Sequence, residues 1–98
     1  MTKTAMKTET SANVWDALAE NEQEAANLKA RSALLRAVSK AVEAWDVSQA
    51  EAARRLGLTR PRLNDLLRGK LAKFSLDALV NIATAAHLKI EIKVRKAA

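Results

Sequence analysis

The strongest breakers of regular structure in this 98-residue chain, Gly57, Pro61 and Gly69, all fall within one span of thirteen residues. Nothing before Gly57 forces the backbone to turn sharply, and nothing after Gly69 does so by glycine or proline. A chain punctuated in this way is expected to be mainly α-helical, with its short elements crowded around the three marks. The same region holds the charge imbalance. From Arg54 to Lys73 there are seven basic residues and one acid, Asp65, whereas the other ten bases are balanced by ten acids, so the whole net charge of +6 sits in this window. A basic patch confined to one short, punctuated element suits a polyanion, of which nucleic acid is the commonest.

Composition narrows the function classes. With 49% apolar residues the chain can build the modest core of one domain. There is no cysteine and only one histidine, His87, which argues against disulfides, thiolate chemistry and the usual metal sites. No cofactor is expected, and no nucleophile and base stand in a pattern that reads as an enzyme. No apolar run reaches the roughly 18 residues of a membrane helix and the start lacks the apolar core of a signal peptide, so a cytoplasmic protein without membrane contact is expected. RNA recognition favours aromatic stacking platforms. Here there is no tyrosine, Phe74 stands beside a helix start where burial is expected, and Trp15 and Trp45 lie away from the basic window.

Along the chain, residues 1–12 are too polar to bury and read as a flexible tail. Val14, Trp15 and Leu18 suit a short helical turn that docks on something. Asn21 followed by Glu24 reads as the start of a long helix to about Glu43, with Leu28, Leu35, Val38, Val42 and Trp45 as its buried stripe and Leu34 at the edge. Arg31 breaks the heptad that would make this helix a coiled coil. Ser48-Gln49-Ala50-Glu51 is a capping box, with Val47 and Ala52 placed as a hydrophobic staple, and the helix it opens ends at Gly57. Thr59 caps the next helix, Pro61 sits in its first turn, Leu63, Leu66 and Leu67 face inward, and Gly69 stops it. Ser75 caps a further helix whose core face is Leu76, Leu79, Val80, Ile82 and Ala83. From Leu88 the period changes to two: Leu88, Ile90, Ile92 and Val94 alternate with charged residues, as in a half-buried strand. No other segment alternates in this way. The strand is therefore expected to pair outside its own chain, most simply in a homodimer.

Two short helices joined by a glycine turn, the second capped and basic, form a helix-turn-helix. Counted from Gln49 as position 1, Ala53, Leu56, Gly57, Leu58, Leu63 and Leu66 meet the demands of that crossing: a small residue at the contact, a glycine at the turn and leucines to lock the angle. From Leu34 to Ala86 the chain resembles the XRE/Cro family of helix-turn-helix regulators. Within it, the run SQAEAARRLGLTRPRLNDLLRGKLAKFSLDALVNIA, with the flanking NVWDALA and LKIEIKV, is similar to HigA-type antitoxins. His87 stands where a glycine would be expected to end the last helix. The expected organisation is an arm over residues 1–24, a helix-turn-helix DNA-binding domain over 25–87 and a strand and tail over 88–98.

The resemblance implies duplex DNA, a pseudo-palindromic operator and major-groove reading by the helix from Thr59 to Arg68. Arg60 and Arg62 are the candidates for guanine edges, Asn64 for an adenine and Pro61 for a thymine methyl. Ser48, Gln49, Thr59, Arg55, Arg68, Lys70 and Lys73 are candidate phosphate contacts, with one of Arg54 and Arg55 left to solvent. Asp65 is expected to pair with Arg62 or Arg68 within the helix. Residues 9–24 carry five acids and no base. With Val14, Trp15 and Leu18 they suit a basic partner, and the resemblance implies a RelE/HigB-like toxin. The alternatives are a Trp15 segment folded back onto the core and a stand-alone repressor without a toxin.

Overall fold

The computed structural model describes the backbone of residues 4–97 and the side chains from Glu20 onward. Four α-helices follow in order: α1 (Thr4–Trp45), α2 (Gln49–Leu56), α3 (Arg60–Leu67) and α4 (Leu76–Ala85), with a single 3-10 turn, Leu71–Lys73, between α3 and α4. Helix α1 has 42 residues. At 1.5 Å per residue it is about 63 Å long, which accounts for the longest dimension of the molecule, 65 Å. The separate start expected at Asn21 is absent, as is a break between a short helical turn at Val14–Leu18 and the long helix. Asn21 has helix-forming residues on both sides and no breaker near it, and an Asn in a helix interior costs only about 0.7 kcal/mol against Ala. A capping signal without a turn to cap is overridden.

The C-terminal part of α1 supplies one wall of the core. Val38 and Val42 are buried, and Leu34, Leu35 and Trp45 pack against them. Leu28, expected in this stripe, is 49% exposed, because the body of the protein ends before reaching it. Residues 20–30 are exposed throughout. Helices α2, α3 and α4 close the core with Ala52, Ala53, Leu56, Leu63, Leu66, Leu79, Ile82, Ala83 and Ala86, and Phe74 is buried beside them. Val80, expected on the core face of α4, lies at its rim and is exposed.

The helix starts follow the capping signals. Ser48, Thr59 and Ser75 each adopt an extended backbone and accept, through the side-chain oxygen, the N–H of the residue three positions on. The ends of α2, α3 and α4 share one geometry. After α2, the Leu58 N–H donates to Ala53 O and the Gly57 N–H to Arg54 O; after α3, Lys70 donates to Asp65 O and Gly69 to Leu66 O; after α4, Leu88 donates to Ala83 O and His87 to Thr84 O. Each is a Schellman pair, which needs a left-handed residue at its centre. Gly57, Gly69 and His87 have φ of 69°, 74° and 63°. His87 therefore does the work of the missing glycine, at a steric cost that glycine avoids.

The expected strand is not formed: among the described residues there is none, and residues 88–97 have neither helix nor strand. Leu88 and Ile90 pack onto the core of their own chain, whereas Ile92 and Val94 are 80% and 88% exposed. A ladder needs a second row of backbone donors and acceptors, and this chain offers none.

Replacing His87, whose side chain is exposed, by glycine removes left-handed strain of about 1–2 kcal/mol, offset by about 0.4–1 kcal/mol because the unfolded chain gains entropy. His87→Gly is expected to stabilise the protein by about 0.5–1 kcal/mol in urea unfolding; equal or lower stability would contradict the strained-cap account.

Candidate nucleic-acid interface

Helix α3 buries Leu63 and Leu66, and at 100° per residue the opposite face carries Pro61, Asn64, Asp65 and Arg68, with Arg60 on one flank and Arg62 on the other. This division decides what each charged side chain can reach. Arg60 and Arg68 are exposed and make no hydrogen bond or ion pair to the described residues. Asn64 is half-buried with no side-chain hydrogen bond to the described residues, and Pro61 is exposed. Thr59 uses its Oγ1 to accept the Arg62 N–H at 3.2 Å, which leaves its O–H as a free donor at the helix start.

Arg62 points elsewhere. Its guanidinium carbon lies 4.0 Å from the centre of the Phe74 ring and Nη1 donates to Lys73 O at 2.7 Å. Stacking on an aromatic face and bonding to a carbonyl both hold the guanidinium flat against the start of the segment that leads into α4. Of the two arginines expected to read guanine, only Arg60 is held by nothing. At 100° per residue Arg62 falls about 110° from the centre of the outer face, on the flank beside Leu66.

Asp65 does not pair with Arg62 or Arg68. Its Oδ1 is 3.4 Å from Lys70 Nζ and its Oδ2 is 3.5 Å from Lys73 Nζ. Partial burial pushes its carboxyl up, but the hydrogen bond to Lys70 and the charges of Lys73 and Lys70 outweigh this and hold it below the ordinary aspartate value. The physical reason is the turn at Gly69, which brings the two lysines back over the outer face of α3, while Arg62 is already taken by Phe74.

The start of α2 forms the other side of the patch. Ser48 Oγ accepts the Glu51 N–H, and Gln49 and Ala50 are exposed beside it. Further along α2, Glu51 draws in both arginines: Arg54 bonds it through Nε at 2.8 Å and Nη2 at 2.6 Å, and Arg55 through Nε at 2.9 Å. The hydrogen bonds from Arg54 and then Arg55 hold the Glu51 carboxyl at about 2. Arg55 also lies 5.1 Å from the Trp45 ring centre. Both arginines are thus tied to one carboxylate, and Arg55 is turned toward the end of α1.

One contact was not legible in advance. Arg31, read only as a flaw in a heptad, donates through Nη1 to Leu71 O at 3.1 Å and Phe74 O at 3.4 Å, and through Nε to Asn27 Oδ1 at 2.6 Å. An arginine alone on an apolar stripe is the available signal for such a carbonyl clamp. Val14, Trp15 and Leu18, the candidate partner-binding residues, lie outside the residues whose side chains are described.

With this geometry, the chain matches the helix-turn-helix domain family over residues 17–95, and it is similar to a solved structure described as an XRE-family transcriptional regulator. That likeness has a TM-score of 0.69 at 31% identity and covers 76% of this chain and 83% of the other. The chain belongs to the XRE-type helix-turn-helix family. No curated protein matches it. As an XRE-type protein, it presents α3 as the element whose outer face is open, packed against α2 and α1 and flanked by the α2 start and the 3-10 turn. Among the described residues no helix is long and apolar enough to cross a membrane, and no cluster of His, Cys, Asp or Glu is arranged to hold a metal ion.

Proposed function

We propose that this XRE-type protein is a transcriptional repressor that binds duplex DNA by seating α3 in the major groove. The observation that carries this reading is the uncommitted, exposed Arg60 at the N-terminal end of a helix whose inner face is locked by Leu63 and Leu66. Recognition helices read base edges from that end. Arg60 addresses a guanine, Asn64 an adenine and Pro61 a thymine methyl. Arg68, Lys70, Lys73 and the α2 start with Gln49 meet phosphates. Arg62 serves by holding the segment after α3 in place. No cofactor and no catalytic step are part of this reading.

The finer reading is an antitoxin that neutralises a basic RelE/HigB-like toxin and represses its own operon. Its support is the acidic stretch over residues 9–24, borne by an α1 that continues beyond the body with residues 20–30 exposed. A regulator without a toxin partner is the second reading, favoured by the likeness to a structure described only as a transcriptional regulator. A homodimer joined through the tail that carries Ile92 and Val94 suits either, with recognition helices about 34 Å apart, one DNA turn; a monomer in sedimentation would contradict it.

Binding to operator duplexes selected from a random pool is expected to fall steeply with salt, by roughly 0.9 log units per log unit of salt for each phosphate neutralised. Arg60→Ala is expected to cost about 1–3 kcal/mol and to relax the preference at one base pair. A flat salt response would overturn the DNA reading. For the antitoxin reading, deletion of residues 1–20 is expected to abolish neutralisation of a RelE/HigB-like toxin encoded beside the gene while DNA binding persists. Unchanged neutralisation would refute the role of the arm.

A further inference from the structure

Asp65 is the one acid in the basic window, and it stands on the outer face of α3, where a carboxylate repels phosphate. Its surroundings give it a different part. Each carboxylate oxygen faces one ammonium, Oδ1 that of Lys70 and Oδ2 that of Lys73. The lysine side chains are 43% and 56% exposed and the Asp65 side chain 21%, so the cations lie outermost and the anion beneath them. At 3.4 and 3.5 Å the pairs are loose, and an ammonium with three donors keeps donors for an incoming phosphate.

The backbone that carries these lysines is fixed independently. The Lys70 N–H donates to Asp65 O at 3.0 Å in the Schellman pair. Arg31 holds Leu71 O and Phe74 O, and Arg62 holds Lys73 O. Both guanidiniums therefore act on carbonyls of the turn, and what remains free is the pair of lysine side chains. Lysine is among the side chains with the most rotamer freedom to lose on binding. A carboxylate that gathers two of them over one spot removes part of that cost beforehand.

We propose that Asp65 is a positioning residue for phosphate binding, which holds Lys70 and Lys73 together over the outer face of α3 so that they meet the DNA backbone as a preordered pair. This rests on the duplex-DNA reading above. It makes the sign of one substitution diagnostic. Asp65→Asn raises the net charge by one, so an acid that merely repels DNA gives tighter binding when removed. A positioning acid gives weaker binding.

The test is a salt titration of the full chain against a short mixed-sequence DNA duplex, with folding checked by circular dichroism. Asp65→Asn is expected to bind about five- to tenfold more weakly near 0.1 M salt, with a salt slope shallower by about one to two, and Asp65→Glu to recover most of the loss. In a Lys70→Met/Lys73→Met background the same substitution is expected to tighten binding, since only repulsion is left. The helix end relies on the backbone carbonyl of Asp65 rather than its side chain, so the variant is expected to fold; should it not, Asp65→Ser is read in its place. Equal or tighter binding by the Asn variant, with a steep slope for the wild type, overturns the positioning role alone. A flat slope for the wild type overturns the DNA reading beneath it.

Discussion

Ala52 and Ala53 each bring a single methyl into a cluster that also holds Leu56, Leu63, Leu66 and Val38, and this small volume lets α2 lie close to α3 and α4, which themselves rest on α1. The rest of the geometry depends on that approach. With Leu63 and Leu66 buried against it, α3 has one rotation about its axis, and that rotation decides which residues reach solvent. A larger side chain at either alanine would force the helices apart, at about 1–3 kcal/mol in a well-packed core, and would re-aim every residue from Arg60 to Arg68.

The electrostatic pattern follows from the same mount. Seven bases crowd the window from Arg54 to Lys73, but they are not equally available. Arg54 and Arg55 are held by Glu51, Arg62 by Phe74 and the Lys73 carbonyl, and Lys70 and Lys73 share Asp65. Arg60 and Arg68 are held by none of these. A basic patch counted from sequence is thus sorted by the fold into cations tied to a neighbouring group and cations, Arg60 and Arg68, with no such tie among the described residues. Exposed ion pairs of this kind add little stability; their effect is to set side-chain direction.

Much of this was legible beforehand where local chemistry decides. The caps at Ser48, Thr59 and Ser75 and the turns at Gly57 and Gly69 are written in residues with few alternative uses, so the short helices could be bounded closely. His87 carried a weaker mark: a glycine was expected there, and the chain makes the same left-handed turn with a histidine. The misses have a common cause. Asn21 offered a cap where nothing compelled a turn, Leu28 offered a core residue beyond the edge of the body, and the alternation from Leu88 to Val94 offered a strand whose ladder needs a second chain. The partners of Arg31, Arg62 and Asp65 depend on where the 3-10 turn lies in space, 5 to 43 residues away along the chain for the contacts concerned, and short-range patterns do not encode that.

On the proposed function, a rigid mount presents one face, from the start of α2 through α3 to the 3-10 turn, to DNA. Mapping amide and arginine side-chain NMR shifts during titration with duplex DNA at low salt tests it most directly. The account predicts that the perturbed residues gather between Ser48 and Lys73, with Arg60 and Arg68 among the strongest and the exposed residues 20–30 of α1 unmoved. Perturbations centred on Trp45 and His87, or on the acidic stretch of α1, would contradict it.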